Sequence, residues 1–174
     1  AEVQSIGTQL KNLIAGNMDK LVTAASAALL RQSLRGIIQA VKEIDSAMVE
    51  LRKVSGATTR ELSQYLERAK TKAVELGASV SDVVQAAAGF ARLGYSVSDA
   101  EKLGNLATMF YKVGDDMSSV EDATQAMVSV MAAFDIAVDD AGQIPDKLNE
   151  VGNRFAISSG GLAEALRRSA SALN

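Results

Sequence analysis

The most regular feature of the chain is a 3-4 alternation of apolar positions. Leu30, Leu34, Ile37, Val41, Ile44, Met48 and Leu51 follow one another in steps of four and three. That is the spacing of the a and d positions of a coiled coil, sustained over three heptads. Val3, Ile6, Leu10 and Leu13 keep the same step, and "AGNMD" at 15–19 interrupts it, because Gly16 and Asn17 both weaken a helix. A single helix from Met18 to Val54 would be about 55 Å long at 1.5 Å per residue. A stripe that long needs a partner. It either folds back on residues 55–174 or pairs between copies of the chain, unless the helix breaks at Gly16 or Gly36.

Beyond Ser55-Gly56 the pattern changes to shorter amphipathic runs separated by Gly and Ser. Thr58 and Glu61 form a capping box, in which the Thr side chain and the Glu three residues on satisfy each other's backbone N–H groups. Leu62, Tyr65, Leu66, Ala69, Ala73 and Leu76 then recur at helical spacing, and Gly77 stands where a left-handed helix-ending residue is wanted. "LGASVSD" at 76–82 returns as "LGYSVSD" at 93–99, which reads as the same helix joint used twice. At the first joint either Ser81 caps or Ser79 caps with Asp82; at the second, Ser98 pairs with Glu101 after a stop at Gly94. Gly114 closes the next helix, Ser118 with Glu121 opens another, and Pro145 suits the first turn of a further one. Ser158 and Ser159 lead the last. No segment alternates with period two for long enough to compete as a strand. The expected class is all-α: a long heptad-patterned helix over 1–54, then a compact bundle of about six short helices over 55–174.

Composition supports this. The chain is 48% hydrophobic with four Phe, three Tyr and no Trp, so its apolar content is carried by Ala, Leu, Val, Ile and Met, residues that favour helices. Its single Pro points the same way. Residues 1–54 carry seven basic and five acidic side chains and 55–174 carry eleven and sixteen, a mild asymmetry without a basic arm for nucleic acid. The longest uncharged stretches, Leu21–Leu30 and Ala123–Phe134, span ten and twelve residues, short of the roughly 18 to 20 that a membrane span needs. The chain begins at Ala1 and stops within an apparent helix at "RRSASALN", so it reads as a piece of something longer.

Candidate chemistry is sparse. With no Cys and no His, thiol nucleophiles, disulfides, Ser-His-Asp hydrolysis and His-ligated zinc are excluded. Neither Asp115-Asp116 nor Asp139-Asp140 has the ligand order of a calcium loop. "SSGG" at 158–161 is read as a Gly-softened helix start in preference to an anion site. Glu61, Glu67, Glu75, Glu101 and Glu121 fall on polar faces or caps, and Met127 and Met131, one turn apart, suit a core. No catalytic, cofactor or metal residue is expected.

Two blocks carry a resemblance. "ELGASVSDVVQAAAGFARLGYSVSDAEKL" at 75–103 and "VGNRFAISSGGLAEALRRSASAL" at 151–173, with "DKLNEVGN" between them, resemble the core region of phage tail tape measure proteins over roughly 54–174. "SSGG" departs from the better-capped start expected there. The resemblance implies a structural protein that fills the lumen of a phage or prophage tail tube, sets tube length during assembly in the host cytoplasm, and leaves when DNA is ejected. Its implied partners are tail tube subunits, tail assembly chaperones and further copies of itself. The alternative is a helical adaptor that binds a protein partner through its heptads.

Overall fold

The computed structural model describes residues 24–114, 116–155 and 158–173. Among them every regular element is helical: α1 (Ala24–Ser55), α2 (Thr59–Leu76), α3 (Val80–Arg92), α4 (Val97–Val113), α5 (Val120–Phe134), a 3₁₀ turn at Val138–Asp140, α6 (Gln143–Phe155) and α7 (Ser159–Leu173). The fold is all-α, and six α-helices follow residue 55. The heptad positions Val3 to Leu13 and the "AGNMD" interruption lie outside the described residues, as does the side chain of Leu30. Gly36 does not break α1, since one helix runs through it.

The chain divides into two units, 1–42 and 43–174. The division falls between Lys42 and Glu43, inside α1, and not in the Ser55-Gly56 joint. The reason lies in the last turns of α1. Ala47 and Leu51 are buried in the core of the second unit, and Met48 and Val54 pack against it. Met48 and Leu51 therefore make their helix–helix contacts within the chain.

The core of the second unit is built on α3. This helix buries Val83, Val84, Ala86, Ala87, Ala88, Phe90 and Ala91, so it is apolar almost all round, as a central helix must be. It packs on α2, α4 and α5, with its most extensive contact to α4; α5 and α6 also pack on α7 through partners around Leu162 and Leu166. Tyr65, Phe90, Phe110, Leu62, Leu103 and Met127 are among its largest fully buried side chains. Met131 joins them at 4% exposure.

Small residues set the distance between α3 and α4. A Cβ on Gly104 would lie 2.7 Å from the backbone nitrogen of Ala87 and 2.9 Å from its Cα. With Ala86 and Ala87 on one side and Ala100, Gly104 and Ala107 on the other, the two backbones approach as closely as side chains permit. The Ala-rich composition thus acts here as a packing device.

Candidate interaction surfaces

Five of the six helices that follow residue 55 are started by a hydroxyl of their own, α6 being the exception. Thr58 caps α2: its Oγ1 accepts from the Glu61 N–H at 3.3 Å, and the Glu61 carboxylate accepts from the Thr58 N–H at 2.8 Å. The Thr58 hydroxyl also donates to that carboxylate at 2.6 Å, and this bond first, then the one from the Thr58 backbone, holds the Glu61 carboxyl below the usual carboxylate range. At the next joint the cap is Ser79, whose Oγ accepts from the Asp82 N–H at 3.0 Å. Ser81 is buried and accepts from the Gln85 side chain, so of the two serines weighed there, the first is the cap.

The following two joints differ from expectation in the same way. Ser96 caps α4 through the Asp99 N–H at 3.1 Å, two residues before Ser98. Ser119 caps α5 through the Asp122 N–H at 3.1 Å, one residue after Ser118. Neither Ser98 nor Ser118 is a cap, and neither Glu101 nor Glu121 closes a capping box. Glu101 is engaged elsewhere: Arg68 on α2 donates to both its carboxylate oxygens, at 2.8 and 2.7 Å. That fork also holds the Arg68 guanidinium above its ordinary value. The three inner joints therefore share one form, Ser-Val-x-Asp, with Asp three residues after the cap. Ser158 starts α7 by accepting from the Gly161 N–H at 3.0 Å, so "SSGG" is capped after all.

The ends of α2, α3 and α4 follow the Gly signals, while α5 ends on left-handed Asp135 at φ 50°. Gly77 is left-handed at φ 60° and Gly94 has φ 93°, while Gly114 ends α4 in an extended conformation at φ −81°. The 76–82 and 93–99 repeats are thus equivalent joints. Pro145 is buried in the first turn of α6.

Among the described residues no three carboxylates converge as metal ligands, and no helix is long and apolar enough to cross a membrane. Tyr65, the most buried titratable group with a perturbed value, donates its hydroxyl to the Val83 carbonyl at 3.2 Å, and burial pushes the phenol above the usual tyrosine range. It is a core residue that ties α2 to α3.

What the surface offers is shape for another protein. On α1, Ile37, Ile38 and Val41 are 46, 55 and 45% exposed, with Leu34 half-buried beside them. Of the expected heptad interface this stretch is open, Ile44 is half-buried, and Met48 and Leu51 are taken up by the chain's own core. Within the second unit an open groove of about 700 Å³ runs between the last turns of α1, α3 and α5. Ala47, Ala88 and Gly89 line it, and Glu50, Arg92 and Glu121 charge its edges.

The family model of phage-related minor tail proteins matches residues 70–174, more than half of the chain. It belongs to that family. The match spans the last two turns of α2 and all of α3 to α7, the part held together by the Ser-Val-x-Asp joints and the Gly104 crossing. A phage-related minor tail protein is a structural component of the virion tail. No solved structure matches the chain.

Proposed function

We propose that these residues are part of a tape measure protein, which occupies the lumen of the tail tube and sets its length until DNA ejection. The observation that carries the reading is the family match over 70–174, joined to the resemblance of the 75–103 and 151–173 blocks to tape measure cores. The helical content supports it physically. An α-helix has a fixed rise of about 1.5 Å per residue, so chain length converts directly into distance. The local caps at Thr58, Ser79, Ser96, Ser119 and Ser158 move with their helices, so helices separated on entering a narrow tube would retain their start signals.

In this reading the partners are tail tube subunits along the lumen, assembly chaperones in the host cytoplasm, and other copies of the chain. The stripe of half-buried Leu34 and exposed Ile37, Ile38 and Val41 is the surface expected to meet another copy. Electron microscopy of tails assembled with this gene altered in length is the test. Tails whose length follows the gene support the ruler, and tails of constant length rule it out in favour of a helical adaptor.

A further inference from the structure

Among the described residues two complementary surfaces stand open. The first is the stripe on α1. Leu34, Ile37, Ile38 and Val41 stand at i, i+3, i+4 and i+7 and cover an arc of about 100° at 3.6 residues per turn. This is the anchor pattern of a helix that lies in a groove. Arg35 and Lys42 border the stripe on its Ile38 side, and residues 24–42 contain no acidic side chain. The second is the α1–α3–α5 groove, whose walls at Ala47, Ala88 and Gly89 carry little side-chain bulk and whose edges carry Glu50 and Glu121 against a single Arg92.

Charge is distributed to match. Residues 1–42 have five basic and two acidic side chains, a balance of +3; residues 43–174 have thirteen and nineteen, a balance of −6. Stripe-on-stripe pairing over residues 34–42 would set Arg35 and Lys42 against a surface with no carboxylate. The groove offers two. Electrostatic complementarity of this kind selects partner and register more than it adds affinity.

We infer that the Leu34–Val41 stripe of one copy docks into the α1–α3–α5 groove of a second copy, with Arg35 and Lys42 facing Glu50 and Glu121. The inference rests on the self-association proposed above and specifies its geometry. Because stripe and groove are different surfaces, the contact is heterologous. Each added copy still presents a free groove or a free stripe, so the assembly grows as an open chain unless its rotation closes a ring.

The test is sedimentation velocity of the 174-residue chain and two variants, with circular dichroism to establish that each is folded. Wild type is expected to gain mass continuously with concentration. Ile38→Glu with Val41→Glu removes the stripe and leaves the groove; Glu50→Lys with Glu121→Lys reverses the groove edge and leaves the stripe. Each variant alone should stay monomeric, with association weakened by about tenfold or more. Mixed one to one, they should form a 1:1 complex that does not grow, because one supplies the groove and the other the stripe. The milder Glu50→Gln with Glu121→Gln should lose affinity in the same direction, which guards against misfolding of the charge-reversed form. If the groove variants associate as wild type does, the contact is stripe-on-stripe and the inference fails while self-association stands. A wild-type chain that is monomeric throughout overturns both.

Discussion

Gly104→Ala adds one methyl group at the tightest point of the second unit. The new Cβ would meet Ala87 N at 2.7 Å, Ala87 Cα at 2.9 Å and the Ala86 carbonyl carbon at 3.1 Å. Favourable contact between heavy atoms lies at about 3.5–4.0 Å, so the overlap is roughly half an ångström or more. The obstacle is helix backbone, which has no rotamer to escape into. Relief requires α4 to move off α3, and α4 contributes Ala100, Leu103, Ala107 and Phe110, all at 0% exposure. Overpacking of this sort costs about 1–3 kcal/mol. Against it stands the better helix propensity of Ala over Gly, about 1 kcal/mol. Because the clash is with unyielding backbone, the upper part of that range, about 2–3 kcal/mol, applies, so net destabilisation should be about 1–2 kcal/mol, or a melting temperature lower by roughly 3 to 8 °C. Urea unfolding followed by circular dichroism measures it. Gly36→Ala is the control: that glycine lies within α1 with nothing inside 4 Å of an added Cβ, so only propensity changes and helix content should hold or rise. Gly104→Ala as stable as wild type would refute the close crossing of α3 and α4.

Three further outcomes follow from the joints and the core. Ser96→Ala and Ser119→Ala should each cost about 1 kcal/mol as lost caps, whereas Ser98→Ala and Ser118→Ala should be nearly neutral in the same unfolding assay; equal effects at 96 and 98 would contradict the assignment. Gly77→Val forces a β-branched residue into φ 60° and should cost about 1–2 kcal/mol, with Gly94→Val at φ 93° similar, both read as a lowered melting temperature. Burial raises the Tyr65 phenol above its ordinary 10.0, so its stabilising contribution is complete below that value and is lost as pH rises past it. Unfolding midpoints across the tyrosine titration range should therefore fall in wild type and stay flatter in Tyr65→Phe; parallel alkaline profiles would contradict the burial of this hydroxyl.

The helices were legible because most carry local signals: 3-4 spacing of apolar residues, a hydroxyl at the start of α2 to α5 and α7, and Gly at the ends of α2, α3 and α4. Thr58-Glu61 and Gly77 were read correctly from sequence since every atom involved lies within a few residues. The inner caps were displaced by one or two positions for a physical reason. A Glu three residues after a Ser is the stronger capping-box signal, yet Glu101 is drawn to Arg68, 33 residues earlier in the chain, and the shorter Asp99 serves the cap. Ser81 was ambiguous because both serines of "SVS" can cap, and only the packing shows that the second one faces the core. The end of the heptad stripe was hidden for a similar reason. Periodicity gives a face for Leu34 to Leu51, but it does not reveal that Leu51 is enclosed by the chain itself while Ile37 and Val41 are open. The groove between α1, α3 and α5 could not be read at all, since it joins residues 46, 88 and 121 through tertiary packing alone.

Tail length is the most direct measure of the ruler. An in-frame deletion of residues 34–47, two heptads of α1, removes about 21 Å of helix at 1.5 Å per residue. Duplication of the same residues adds as much. The account predicts virions whose tails shorten and lengthen in proportion to the residues removed or added. Complete tails of wild-type length from both alleles would contradict it.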